Sequence, residues 1–292
     1  MTTPPVSFNP LNIVSKGAVL GLSLASRLEE KLGFPLIEFE VTAQNQKEIS
    51  DDDAGRILMI LREFERGRPA EDYSSYHKKK DRYTDVLQYT ATMVPVFDEQ
   101  NQKIDFNGAQ FVTGNKNYIL MQGPKESTVD LTKMVMTQND VKQIVCLTPV
   151  LENDKVKCEC YWFGWKTEER EGFFIRTPRK SDGWTPDIMF HCEVWPDQGV
   201  LADIEPFIQL IKEQRARYQG GAIAVHCSAG VGRSGVFMVA TLMMDLMDQG
   251  ARVLNPVQLM TQIREVRPAM VQTRDQLKFC FKVANYLLQN RL

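Results

Sequence analysis

Histidine is scarce, with three in 292 residues, and no Cys-x-x-Cys pair occurs among the six cysteines. A zinc site of ordinary ligand spacing is therefore not expected. Evenly spaced loop cysteines are missing too. Cys146, Cys158, Cys160, Cys192, Cys227 and Cys280 sit mostly in apolar runs, as free thiols of a reducing compartment do. No apolar run approaches the roughly twenty residues that cross a bilayer as a helix. The start, Met1-Thr2-Thr3-Pro4-Pro5, lacks the basic-then-apolar order of a secretory leader. The expected location is the cytoplasm, as a whole protein or as the cytoplasmic domain of a longer one. Neither sign of charge is in excess: 35 Lys and Arg face 37 Asp and Glu, for a net −2. Nucleic acid is not expected as a partner, and no membrane segment is expected in this chain. A local basic pocket stays possible, because a net total says nothing about patches. Hydrophobic residues at 43% and charged residues at 25% are ordinary for a globular protein large enough to do without staples.

What is present centres on Val225-His226-Cys227-Ser228-Ala229-Gly230-Val231-Gly232-Arg233-Ser234-Gly235. The apolar run Ala222–Val225 before it reads as a buried strand, and the longer run Val236–Met247 after it as a helix stopped near Gly250. Gly230 and Gly232 allow a tight curl in which successive N–H groups converge on one centre. The helix start adds positive potential, and Arg233 adds a planar cationic fork for two phosphate oxygens. In that setting the Cys227 thiol ionises below its free value of about 8.5 and becomes a nucleophile. A lone cysteine in a strand-to-helix turn is more often inert core; here the whole string matters. It resembles, position for position, the signature of the protein tyrosine phosphatases, His-Cys-Ser-Ala-Gly-x-Gly-Arg-Ser/Thr-Gly.

Other motifs follow that family's order. Asp81-Arg82-Tyr83-Thr84-Asp85-Val86 is similar to its substrate loop, after a lysine run (Lys78–Lys80) that alone would read as a solvated face. The resemblance implies that Tyr83 stacks on the phenyl ring and sets pocket depth, and that Asp85 takes peptide N–H groups. Gln122-Gly123-Pro124 matches a further family element. Glu152 and Lys157 match a Glu that pairs with an active-site arginine and a Lys that touches the acid loop; a charged hairpin tip reads equally well. Trp195-Pro196-Asp197-Gln198-Gly199-Val200, thirty residues before Cys227, resembles the mobile acid loop. Asp197 is its candidate proton donor to a leaving tyrosinate of pKa about 10. Trp195 and Gly199 are candidate hinges. Arg267–Gln276 matches the glutamine loop. There Gln272 would place the hydrolytic water and Gln276 would support it, although Thr273 and Gln276 also form a capping box.

The implied site is thus Cys227, Arg233, Asp197, Gln272 and Ser234 for catalysis. Tyr83, Asp85, Gln276 and the loop Ser228, Ala229, Gly230, Val231 and Gly232 would bind substrate. His226, Glu152, Lys157 and Trp195 would support them. Ser234 would hydrogen-bond the thiolate, and His226 would order the loop. No metal or cofactor is implied; the partners would be phosphotyrosine-containing proteins, and oligomeric state is not readable. Departures from the family pattern are Asp81 for Asn, Gln88 and Thr90 for Pro and Asp, Asp105-Phe106-Asn107-Gly108-Ala109 for Asp-Tyr-Ile-Asn-Ala, Thr132 near a lost tryptophan, and Leu201 for Pro. Those around Asp81, Gly108 and Thr132 support an alternative, a weak or inactive phosphotyrosine-binding pseudophosphatase. A dual-specificity enzyme is disfavoured by Tyr83 and by chain length.

The implied fold is α/β: one domain with a highly twisted mixed sheet flanked by helices on both sides. Residues 1–49 read as a partly helical extension (tail 1–14, helix 15–32) and 50–292 as the catalytic domain. Helices are expected over 53–65, from Ser127 (capped through Asp130), 204–218, 256–267 and to 288. Strands are expected over 93–97, 118–121, 143–147, 172–176 and 188–194.

Overall fold

The computed structural model describes residues 23–290. Its strands are β1 (Val41–Thr42), β2 (Gly108–Thr113), β3 (Lys116–Met121), β4 (Val141–Cys146), β5 (Leu151–Glu152), β6 (Lys155–Val156), β7 (Lys166–Arg170), β8 (Phe173–Thr177), β9 (Ile188–His191), β10 (Ala222–His226) and β11 (Val253–Leu254). Its helices are α1 (Leu24–Leu32), α2 (Asp51–Arg66), α3 (Val129–Gln138), α4 (Glu205–Ala216), α5 (Gly232–Asp248), α6 (Pro256–Arg264) and α7 (Arg274–Asn290). Seven strands form one mixed sheet in the order β2-β3-β10-β4-β9-β8-β7. The inner four run parallel, and the edges are antiparallel.

β10 is buried along its whole length because it has a parallel neighbour on each side and helices over both faces. Its Ile223 and Val225 join the larger core with α4, α5, α6 and α7. Ala222 and Ala224 join a second core with Val135 and Met136 of α3 and the aromatic group Tyr161, Trp162 and Trp165. The expected α/β sheet covered on both sides is what forms. The carboxyl end of β10 opens directly into the Cys227 loop, where a crossover in a parallel sheet leaves room for a ligand.

The termini of the helices follow their sequence signals. Ser50 caps α2 by accepting from Asp53 N at 3.0 Å, Asn255 caps α6 by accepting from Gln258 N at 3.0 Å, and Gly33 closes α1 at φ 80°. The expected Ser127–Asp130 cap does not form. A short 3-10 turn, Glu126–Thr128, precedes α3, Thr128 Oγ1 accepts from Lys125 N, and the Ser127 hydroxyl donates to Lys79 O. Nor is 93–97 a strand: only isolated bridges from Met93 to Ala109 and Phe97 to Lys103 occur. Pro95 has no N–H to offer a ladder. The polar edge strand β7 and the strand at the opposite edge, β2, escaped a reading based on apolar runs. The tail expected over 1–14 and the first part of the 15–32 helix lie outside the described residues. The described part of the extension shares the larger core: Leu24, Leu28, Leu32, Phe39 and Val41 are buried there, and Val41 pairs with Leu254. Among the described residues no helix is long and apolar enough to cross a membrane.

Candidate active site

The loop from β10 to α5 carries Cys227 at its floor, buried, with Gly230 N donating to the sulfur at 3.3 Å. Gly230 sits at φ 72°, and a Cβ there would lie 1.9 Å from Met121 O, so no other residue fits this turn. The helix α5 begins at Gly232, four residues before the apolar run that announced it. Arg233 and Ser234 therefore stand in its first turn, beside the sulfur. Burial pushes the Cys227 thiol up. The Arg233 charge, the Ser234 hydroxyl and N–H and the Gly230 N–H outweigh it and hold the thiol below its ordinary value. The Ser234 hydroxyl is fully buried and has no hydrogen-bond partner in this structure, but it lies close enough to the sulfur to help lower the pKa of the thiol.

Behind the loop lies a residue that the motifs did not single out. Arg267 is fully buried and donates to Gly230 O at 2.9 Å and Ala229 O at 3.1 Å, which turns these carbonyls away from the sulfur. Among the described residues no carboxylate pairs with it. Gln88 Oε1 and Asn107 Oδ1 accept its remaining protons at 2.8 and 3.0 Å, and burial pushes its pKa down to about 10. Gln88 and Asn107 are two of the departures noted above; in this chain they form a neutral collar for Arg267. A third, Gly108, is required because a Cβ would lie 2.8 Å from the Phe106 ring. Asp81 is buried, and its carboxylate accepts from His77 N at 2.6 Å within its own loop. Thr132 is buried in α3.

The acid loop lies over this floor. Arg233 Nη2 donates to Asp197 Oδ1 at 3.0 Å and to Glu152 Oε2 at 3.2 Å, while Nη1 donates to Trp195 O at 2.8 Å. Glu152 Oε1 accepts from Asp197 N at 2.6 Å, and Lys157 Nζ reaches Asp197 Oδ2. Glu152 and Lys157 thus both reach Asp197, carried there by the β5–β6 hairpin. Burial raises Asp197, but the Lys157 hydrogen bond and the Arg233 charge outweigh it, so its carboxyl lies below the ordinary range. Trp195 is fully buried against Phe207 and Phe279, and its Nε1 donates to Gly199 O at 3.1 Å. It is an anchor for the loop. Leu201 is buried and lines a cavity of about 190 Å³ with Cys192, Phe207 and Leu210.

The remaining candidates fall into two groups. Tyr83 OH and Ser228 Oγ are 2.7 Å apart, and Ser228 Oγ donates to Lys157 O at 2.8 Å, so the substrate-like loop is tied to the floor. His226 is buried between Cys227 O at 3.1 Å and Tyr161 OH at 2.7 Å. Gln272 reaches across Gly232, where a Cβ would stand 2.7 Å from its Oε1. Gln276 Oε1 accepts from Gln272 N at 2.8 Å and Thr273 N at 3.3 Å, while Thr273 Oγ1 accepts from Gln276 N at 3.2 Å, the expected capping box. Asp85 is exposed and stands apart from the sulfur, on a cavity of about 470 Å³ that it shares with Arg62, Arg66, Arg264 and Gln272. Among the described residues no group of three or more His, Cys, Asp and Glu side chains is placed to hold a metal.

Residues 77–189 and 176–286 match a family model described as protein-tyrosine phosphatase. The tyrosine-protein phosphatase non-receptor type 20 of Rattus norvegicus is 30% identical over 264 residues, 80% of this chain and 62% of the rat protein. Receptor-type tyrosine-protein phosphatase F of Mus musculus is 33% identical over 237 residues, 71% of this chain and 12% of that protein. Tyrosine-protein phosphatase non-receptor type 13 of Homo sapiens is 30% identical over 239 residues, 73% and 9% of the two chains. The chain spans less than two thirds of the length of the type 20 relatives, from 62% in rat to 56% in human.

Proposed function

This chain belongs to the protein-tyrosine phosphatase family, and on that premise we propose that it hydrolyses phosphotyrosine in proteins through a phosphocysteine intermediate. One observation carries the reading. A buried sulfur with a lowered pKa, a buried arginine and a carboxylate 3.0 Å from that arginine meet at the end of the central strand.

In the first step Cys227 Sγ attacks phosphorus, the bond to the tyrosyl oxygen breaks, and Asp197 gives that oxygen its proton. Arg233 and the loop N–H groups hold the equatorial oxygens as charge builds on them. In the second step a water placed by Gln272 attacks phosphorus and gives its proton to Asp197. The P–S bond breaks, and the thiolate leaves with its electron pair, stabilised by Ser234. Tyr83 forms the aromatic wall that sets pocket depth, and Asp85 takes backbone N–H groups of the peptide. No cofactor enters.

The low pKa of Asp197 in the ligand-free site suits this sequence. An arriving dianion replaces Asp197 on Arg233 Nη2. The carboxylate then loses a cation and gains a negative neighbour, both of which raise its pKa. Asp197 becomes protonated when substrate is in place. The alternative of a binding-only protein drew its support from the departures at Asp81, Gly108 and Thr132. Asp81 is held within its own loop and Gly108 fits against the Phe106 ring, and turnover decides between the two readings.

The test is turnover of a phosphotyrosine peptide by the wild type, Cys227→Ser and Asp197→Ala. We expect turnover by the wild type, none by Cys227→Ser, and a loss of about 10²- to 10⁴-fold in kcat for Asp197→Ala, the usual worth of a general acid. A folded, reduced wild type that binds the phosphopeptide without turning it over would establish the binding-only protein instead.

A further inference from the structure

The turn that presents Gln272 is strained. Ala269 and Val271 have φ of 62° and 63°. In a β-branched residue such as Val271 that value is an outlier, kept only where the surroundings over-determine it. The surroundings do so from two sides. On the core side Val271 N donates to Val231 O at 3.0 Å, and the turn lies so close to α5 that a Cβ on Gly235 would be 2.3 Å from Val271 N. On the other side stands α2, which precedes the family-matched residues. Its Glu65 accepts with one oxygen from Ala269 N at 3.1 Å and from Arg264 Nη1 at 3.0 Å. Arg264, fully buried, donates onward to Met270 O at 2.8 Å and Val271 O at 2.9 Å. Arg62 of α2 donates to Gln272 O at 2.6 Å. From 269 to 272, each residue has a backbone group held by this set of three side chains.

We propose that Glu65, Arg264 and Arg62 form a clamp that positions Gln272 for the hydrolysis of the phosphocysteine, so that α2 governs the second chemical step and leaves the first alone. This rests on the two-step reading above. None of the three residues lies within the loop that holds the sulfur or contacts Asp197 or Arg233 through a hydrogen bond in this structure. A loosened clamp lets the turn relax toward negative φ. Gln272 then leaves its place over Gly232, and water is no longer aimed at phosphorus.

The test compares wild type, Glu65→Gln and Arg62→Ala in steady-state and stopped-flow hydrolysis of para-nitrophenyl phosphate. Active protein is counted by Cys227 alkylation, and melting temperatures are recorded. A defect confined to the second step lowers kcat and KM together, leaves kcat/KM unchanged, and enlarges the initial burst. For Glu65→Gln we expect kcat and KM each to fall about tenfold with kcat/KM within about twofold, and for the exposed Arg62→Ala about a threefold fall in the same pattern. Ala269→Gly, which accepts positive φ without strain, should restore part of the kcat lost in Glu65→Gln. A merely structural role would lower kcat and kcat/KM alike with KM unmoved, and that outcome overturns the clamp, as does an unchanged kcat in both variants. If Glu65→Gln does not fold, Arg62→Ala decides alone by the same criterion. Absence of turnover in the wild type overturns the two-step reading and the clamp with it.

Discussion

Cys227 and Ser234 are coupled by burial. A hydroxyl with no other partner is costly inside a protein unless something nearby gains from its dipole; a thiolate does. Replacing Ser234 with Ala removes a donor to the sulfur, so the Cys227 pKa should rise toward its free value. The measurement is the rate of Cys227 alkylation by iodoacetamide against pH. The wild-type midpoint should lie below that of a free cysteine, and the Ser234→Ala midpoint should lie above the wild type. The same scale explains the departures from the family pattern. Arg267 is a buried cation that forms no ion pair among the described residues and has the Cys227 thiolate and the Asp81 carboxylate only at a distance. Five hydrogen-bond donors on one guanidinium suit two carbonyls and two side-chain amides, and Gln88 and Asn107 supply those amides. Read one residue at a time, Gln88 and Asn107 looked like losses; together they are one arrangement. A buried arginine has no marker in sequence that tells it from a surface one, which is why Arg267, Arg264 and Glu65 were not legible.

The acid loop works as an element. Trp195 anchors its start in the core, Gly199 returns a carbonyl to the Trp195 indole, and Thr273 Oγ1 donates to Gln198 O at 3.1 Å, joining it to the glutamine loop. Its position is held by charge, through Arg233, Lys157 and Glu152. The pH dependence follows from the two lowered pKa values. In the proposed mechanism the rate rises with pH as Cys227 ionises and falls as Asp197 loses its proton. Because both groups titrate below their ordinary values in the free protein, kcat/KM for a phosphotyrosine peptide should peak on the acid side of neutrality. Asp197→Asn should lose the alkaline limb while keeping the acid one. A profile that keeps both limbs in that variant would remove Asp197 from the role of acid. At this scale the sequence was most informative where chemistry demands several residue types in one order, as in 195–200 and 226–235. It was least informative where an edge strand such as β7 carries charge on its exposed positions and shows no apolar alternation.

For the whole molecule, the described part of the extension belongs to the core. Leu28 and Val41 are fully buried among side chains of the body, Leu24 N donates to Glu265 Oε1 at 2.8 Å, and Arg56 of α2 donates to Leu32 O at the end of α1. Leu28→Ala should therefore cost about 2–5 kcal/mol of stability by leaving a cavity. Urea unfolding of the two proteins would measure it, and a midpoint equal to wild type would show that α1 is dispensable. The same packing places α2 against the glutamine loop, through contacts about two hundred residues apart in sequence.

The sequence alone determined the family and the α/β class, and it offered Cys227, Arg233, Asp197 and Gln272 as the candidate site. Short, contiguous strings suffice for that, because each loop holds its own candidate residues in a single turn of chain. Tertiary structure alone decided that Glu152 and Lys157 face Asp197, that Gln88 and Asn107 serve Arg267, and that α2 holds the turn before Gln272. Those relations join distant segments through buried hydrogen bonds, and a buried donor finds its acceptor only after the core that excludes water has formed.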